Sequence, residues 1–259
     1  MSLRRGRGLL ASLLVLIPAG ACAPRATLLE PSGTSTLITA TTPDRSMIFL
    51  HRTEEGFIVV DLGWLDAEDT LEAQLRGAGA GPEDVAAVFL THSHRDHIGG
   101  WRLVRHAPFH MALPEVDRFL GREEHEGWIP RTADRMLGPA GPGEGEVEIR
   151  PFSGDTTFVF GADTIYAFLI PGHTPGSTAY LVDGLLLAGD GIYRSYVGDF
   201  REAMAGYSDD TAEALRSLES LFQRLEPHRV ENLCTAHGRC APYTPEFRER
   251  LLGRERDRS

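Results

Sequence analysis

Within six residues, His92-Ser93-His94-Arg95-Asp96-His97, the chain carries four side chains able to bind a metal ion. This cluster follows directly on the apolar run 85–90 and is followed by Gly99 and Gly100. A continuous apolar run of that length reads as a buried strand. The chain must therefore end a strand, present its polar cluster at the tip, and turn sharply through the two glycines. Alternation along an extended segment turns His92 and His94 the same way, toward one ion. Histidine nitrogen and aspartate oxygen suit zinc, and the same donors accept iron or manganese. Three further candidate ligands each stand just past an apolar run: His173 in PGHTPGS, Asp190 in LLLAGDG and His237 in CTAHG.

The 259 residues are enough for one large layered domain with a real core. Strand patterns fall at 46–51, 56–61 and 85–90, with a helix over 67–76 ended by the breaker GAGAGP. A helix over 100–106 and a strand over 109–112 come next, and the Gly- and Pro-rich stretch 121–145 reads as a lid-like loop. Strand patterns resume at 147–152, 156–160, 164–170, 178–182 and 185–188, before a helix over 210–225 and a short strand over 231–235. Two strand-then-helix halves of this kind suggest a sandwich with helices outside, although no short-period repeat supports it.

All 26 basic residues are arginine. Schiff-base chemistry, a lysine base and a lysine-bearing phosphate loop are thereby excluded. The net charge of -11 gives no electrostatic footprint for nucleic acid. At the start, Arg4, Arg5 and Arg7 precede an apolar run over 9–17 and the small residues Ala19, Gly20 and Ala21, the pattern of an export signal over 1–21. PAGAC resembles a bacterial lipoprotein box, which makes Cys22 the lipidated residue and 22–35 a tether to a domain at 36–259. The expected place is the periplasm or cell envelope, with the membrane reached only through this anchor; ordinary cleavage and soluble secretion is the alternative. Cys234 and Cys240 bracket His237, and two readings stay open: a disulfide that stiffens the turn, or two separate buried thiols.

With these motifs in this order, the sequence resembles the metallo-beta-lactamase superfamily over roughly 56–238. The family's H-x-H-x-D-H stands as His92, His94, Asp96 and His97; its isolated histidine, bridging acid and final histidine stand as His173, Asp190 and His237. The resemblance implies an α/β four-layer αβ/βα sandwich and two zinc ions. One would be held by His92, His94 and His173, the other by Asp96, His97 and His237, with Asp190 between them. Such a centre makes hydroxide available at neutral pH and polarises a carbonyl, so hydrolysis of a small-molecule substrate is the expected reaction. Asp96 could also take a proton.

Beta-lactamases of the superfamily usually carry Cys or Ser where this chain has Asp190, whereas lactonases, thioesterases and processing nucleases carry Asp. Tyr193 is similar to the tyrosine that acyl-homoserine lactonases place over their metals. Arg194 is a candidate grip for a substrate carboxylate, and Trp128 a candidate pocket wall. An ester, lactone or thioester hydrolase is the leading expectation. The alternatives are a beta-lactamase, a phosphodiesterase or nuclease, and a metal-binding module without turnover. His51, His106, His110, His125 and His228 lack ligand-like neighbours and are assigned no role, and Trp101 is expected to pack its own segment against the sheet.

Overall fold

The computed structural model of the protein describes residues 25–29, 36–40, 46–64, 67–194, 200–237 and 240–256. The export signal expected over 1–21, Cys22 and most of the tether lie outside the described residues, as does Gly238. One sheet contains β1 (Arg25–Leu29), β2 (Thr36–Ala40), β3 (Met47–Thr53), β4 (Gly56–Val60), β5 (Val85–Phe89), β6 (Phe109–Ala112) and β7 (Ile149–Phe152) in that order. It is antiparallel from β1 to β4 and parallel from β4 to β7. The other sheet is built from β8 (Thr156–Phe160), β9 (Asp163–Leu169), β10 (Thr178–Val182), β11 (Leu185–Leu187), β14 (Asn232–Cys234) and β15 (Ala241–Pro242). Its order is β15-β14-β11-β10-β9-β8. A separate ribbon pairs β12 (Ile192–Arg194) with β13 (Phe200–Glu202).

The side-chain pattern explains why these strands are buried on both faces. In β4, Ile58 and Val60 enter the layer between the sheets, while Phe57 and Val59 face the opposite side. In β10, Tyr180 and Val182 enter the same central layer and Ala179 and Leu181 face away. A period of two with both phases apolar needs cover on each side, and the helices supply it. Helix α1 (Glu68–Gly77) packs Leu71 and Leu75 on the outer face of the first sheet. Helices α5 (Thr211–Arg224) and α6 (Pro245–Arg256) pack Leu218, Leu221, Phe222, Phe247 and Leu251 on the outer face of the second. The result is the four-layer αβ/βα sandwich expected from the sequence.

Several elements differ from the sequence reading. The segment 100–106 is a run of turns behind the short α2 (Arg95–Ile98), not a helix. Its entry is bonded elsewhere: Gly99 and Gly100 donate their N–H groups to Gly63 O at 2.8 Å and Leu62 O at 3.0 Å. The stretch 121–145 contains α4 (Trp128–Leu137), whose Pro130 sits in the first turn, where a missing N–H costs nothing. Strand β1 falls inside the 22–35 stretch that composition marks as tether, so regular structure begins ahead of Thr36.

Candidate metal centre

The parallel strands β4 and β5 end side by side, and the chain places its chemistry at that carboxyl edge. Asp61, just past β4, adopts φ 56°, a left-handed conformation that Asp tolerates better than most residues. That turn puts its buried carboxylate under the segment after β5, where it accepts Thr91 N–H and Thr91 Oγ–H, each at 2.8 Å. Loops from the second sheet complete the site. His173 follows β9, Asp190 follows β11, and His237 follows β14. Gly189, at φ 51°, lets the Asp190 loop close on this edge, since a Cβ there would lie 2.6 Å from Thr91 Oγ1.

Two triads of donor atoms result. His92 Nε2, His94 Nδ1 and His173 Nε2 lie 3.0–3.2 Å from one another and are almost fully buried. Zinc–nitrogen bonds of about 2.0–2.1 Å in a tetrahedral site require donors about 3.3 Å apart, close to this spacing. In the second triad, Asp96 Oδ2 lies 3.0 Å from His237 Nε2 and 3.8 Å from His97 Nε2. Asp190 sits between the two: Oδ1 is 3.6 Å from His97 Nε2, while Oδ2 is 3.4 Å from His237 Nε2 and 3.7 Å from His173 Nε2. Asp96, Asp190 and His237 are 16–18% exposed, so the site opens to solvent on the side of the second triad.

A buried outer layer decides which nitrogen of three of the rings, His92, His97 and His173, faces inward. Asp61 Oδ2 accepts from His97 Nδ1 at 2.8 Å, which fixes a proton on Nδ1 and makes the buried Nε2 the nitrogen that would give up its proton to a cation. Thr91 Oγ1 already donates to Asp61, so at 3.1 Å from His92 Nδ1 it acts as acceptor and directs the His92 Nε2 lone pair inward. Ser208 Oγ donates to Met204 O at 2.8 Å and accepts from His173 Nδ1 at 3.1 Å, with the same outcome for His173. The donor chemistry and its orientation fit a two-cation centre.

Charge divides the site. Burial, reinforced by neighbouring histidines, holds His92 and His94 well below the usual histidine range, and burial likewise lowers His173, so all three are neutral at pH 7. Burial also acts downward on His97, but Asp61, Asp96 and Asp190 outweigh it and raise His97 to about 10. His237 is raised well above its ordinary value, with Asp190 and Asp96 overcoming burial. Asp96 and Asp190 are lowered, because the same histidines outweigh the burial of their carboxylates. Without a cation, protons on His97 and His237 balance the carboxylates.

All seven candidate ligands read from the sequence converge here. Tyr193 lies half-buried on β12, three residues beyond Asp190, and the side chain of Arg194 lies outside the described residues. Trp128 opens α4 at 62% exposure. Its neighbour Gly127 donates to Asp209 Oδ1 at 2.9 Å, and Asp209 N–H donates to His173 O at 3.1 Å. Trp101 packs as expected, with Nε1 on Ala140 O at 3.1 Å. Cys234 and Cys240 form a disulfide around His237, resolving the two open readings.

Sequence reasoning passed over Asp61, and an acid just past an apolar run was the only available signal. Three of the five histidines given no role are buried. His51 pairs with Asp163 at 3.2 Å, His110 stacks on Phe89, and His125 lies edge-on to His94 with ring centroids 4.5 Å apart. His106 is exposed, and His228 packs against Tyr166 and Phe168.

Comparison with known proteins agrees with this geometry. A family model described as the metallo-beta-lactamase superfamily matches residues 41–237. An N-acyl homoserine lactonase of Bacillus thuringiensis is 24% identical over 250 residues, covering 83% of this chain and 90% of its own. A probable metallo-hydrolase of Bacillus subtilis, YybB, is 27% identical over 211 residues, covering 77% and 83%. Among solved structures, a B3 metallo-beta-lactamase with an active-site glutamic acid superposes with a TM-score of 0.63 at 19% identity, covering 92% of each chain. A mutant of the B. thuringiensis lactonase AiiA with N-decanoyl-L-homoserine at its active site gives 0.56 at 21% identity, covering 83% and 90%.

Proposed function

The chain belongs to the metallo-beta-lactamase superfamily, and from that premise we propose that it is a zinc-dependent hydrolase of a lactone, ester or thioester bond in a small molecule. The observation that carries this reading is Asp190, whose two oxygens stand between the triads at 3.4–3.7 Å from His97, His173 and His237. Carboxylate at that position is the pattern of lactonases, thioesterases and processing nucleases rather than of beta-lactamases, and the net charge of -11 argues against a nucleic-acid substrate. Similarity to a lactonase over 83% of the chain supports the same choice. Export and a lipid anchor at Cys22 remain part of the proposal.

His92, His94 and His173 would hold one ion and Asp96, His97 and His237 the other, with Asp190 shared. Bound zinc supplies a nucleophile from water at neutral pH and polarises the scissile carbonyl. The chain's own residues do the rest. Asp190 and Asp96 line the solvent-facing side and can hold a proton on Oδ2 as it passes to the leaving oxygen. Tyr193, three residues on, would donate its hydroxyl to the substrate carbonyl, a role that its likeness to the lactonase tyrosine supports. The buried histidine triad keeps water away from the far side.

The test is a hydrolysis panel on the zinc-loaded protein: an N-acyl homoserine lactone, a simple γ-lactone, an aryl ester, an acyl thioester, a chromogenic cephalosporin and an RNA. Turnover of the first four classes with little of the last two supports the reading. Preference for the cephalosporin or RNA overturns it.

A further inference from the structure

A fully buried carboxylate outside the ligand set touches both loops that carry the first triad. Glu115 ends the turn Leu113–Glu115 after β6 and is 0% exposed. Its Oε2 accepts the N–H of Ser93 at 2.8 Å and the Ser93 hydroxyl at 2.5 Å, and Ser93 stands between His92 and His94. Its Oε1 accepts the N–H of Gly176 at 2.9 Å, three residues beyond His173. The turn around His173 is itself cross-braced: Thr174 N–H donates to Ser177 Oγ at 2.9 Å and Gly172 N–H to Thr174 O at 3.0 Å. Displacing Gly176 therefore carries His173 with it.

We propose that Glu115 is a positioning residue that locks the His92/His94 loop to the His173 loop, so that the first triad's affinity for a divalent cation depends on its carboxylate. The inference rests on the metal-site half of the proposed function and is independent of the substrate. Two observations separate it from simple packing. Burying a carboxylate is costly unless donors converge on it, and the three donors come only from the two ligand-bearing loops. Position 176 also admits only glycine beside the carboxylate, since a Cβ would lie 2.7 Å from Glu115 Cγ and 2.9 Å from Oε1. The acid reaches neither reacting atoms nor solvent, so its action runs through the ligands.

The test measures zinc affinity by chelator competition, and cobalt(II) absorption, in two backgrounds. His237→Ala leaves the first triad complete, and His94→Ala leaves the second. Adding Glu115→Ala is expected to weaken binding about 10–100-fold in the first background, the usual effect of removing an outer partner of a metal ligand. The cobalt spectrum should change with it, and binding in the His94→Ala background should stay within about twofold. Glu115→Gln should recover part of the loss, because its one oxygen can serve either Ser93 or Gly176 but not both. If Glu115→Ala does not fold, Ser93→Ala, which deletes a single donor, should still weaken the first background alone. Equal weakening in both backgrounds, unchanged affinity in both, or no binding by the His237→Ala chain each overturns the proposal. A wild type that binds zinc yet hydrolyses nothing would sink the lactone reading and leave this one standing.

Discussion

Asp61 is the most informative residue to perturb, because one carboxylate sets the tautomer of His97 directly and that of His92 through Thr91. Replacement by Asn keeps shape and removes one acceptor. If the new amide NH2 takes the Oδ2 position, it faces His97 Nδ1 and forces that nitrogen to accept, moving the ring proton to Nε2, where a ligand needs a lone pair. If it takes the Oδ1 position, it opposes the Thr91 N–H, which now lies 2.8 Å from an acceptor. Either way a charge-assisted bond worth about 1.5–3 kcal/mol is lost from a buried site. The expected loss in zinc affinity is about 10–100-fold, centred on the second triad, with a comparable fall in turnover. Chelator competition on Asp61→Asn measures it, and thermal unfolding of the metal-stripped chain separates affinity from folding. Wild-type zinc affinity in Asp61→Asn would refute the tautomer argument.

His110 and the disulfide give two more tests. Burial, aided by the Arg150 charge, lowers His110 to about 4, and both its ring nitrogens are buried without a partner. A folded pKa below the unfolded value means the unfolded chain binds more protons between about 6.5 and 4, so stability falls as pH drops through that window and levels off below it. At about 1.4 kcal/mol per pKa unit the loss should be about 3 kcal/mol in urea unfolding, and a His110→Phe chain that shows the same pH dependence would contradict the assignment. The Cys234–Cys240 bond closes the loop that carries His237. Reduction with a phosphine should weaken zinc at the second triad and spare the first, so unchanged chelator competition after complete reduction would count against this.

The seven candidate donors and a sandwich with helices outside were legible because both are written locally, while the four-layer αβ/βα order came with the family resemblance. Metal donors follow apolar strand runs one after another, and a two-faced apolar period fixes a covered sheet. What the sequence hid depends on contacts between distant segments. Nothing near Glu115 announces that it meets Ser93 and Gly176, and nothing in GREEHEGW places His125 against His94. The segment 100–106 has helical composition, yet its N–H groups bond three residues back, Leu103 to Gly100 O and Val104 to Trp101 O, so it forms successive turns that composition does not distinguish from a helix. Strands of three residues such as β12 and β13 carry too short a pattern to read.

The most direct test of the account is a zinc titration of the metal-stripped protein, with lactone ring opening followed as acid release. The account predicts no turnover without metal, activity that rises as up to two ions bind per chain, and none at any loading in Asp190→Ala. Lactone hydrolysis that survives chelation, or that Asp190→Ala leaves unchanged, would contradict it.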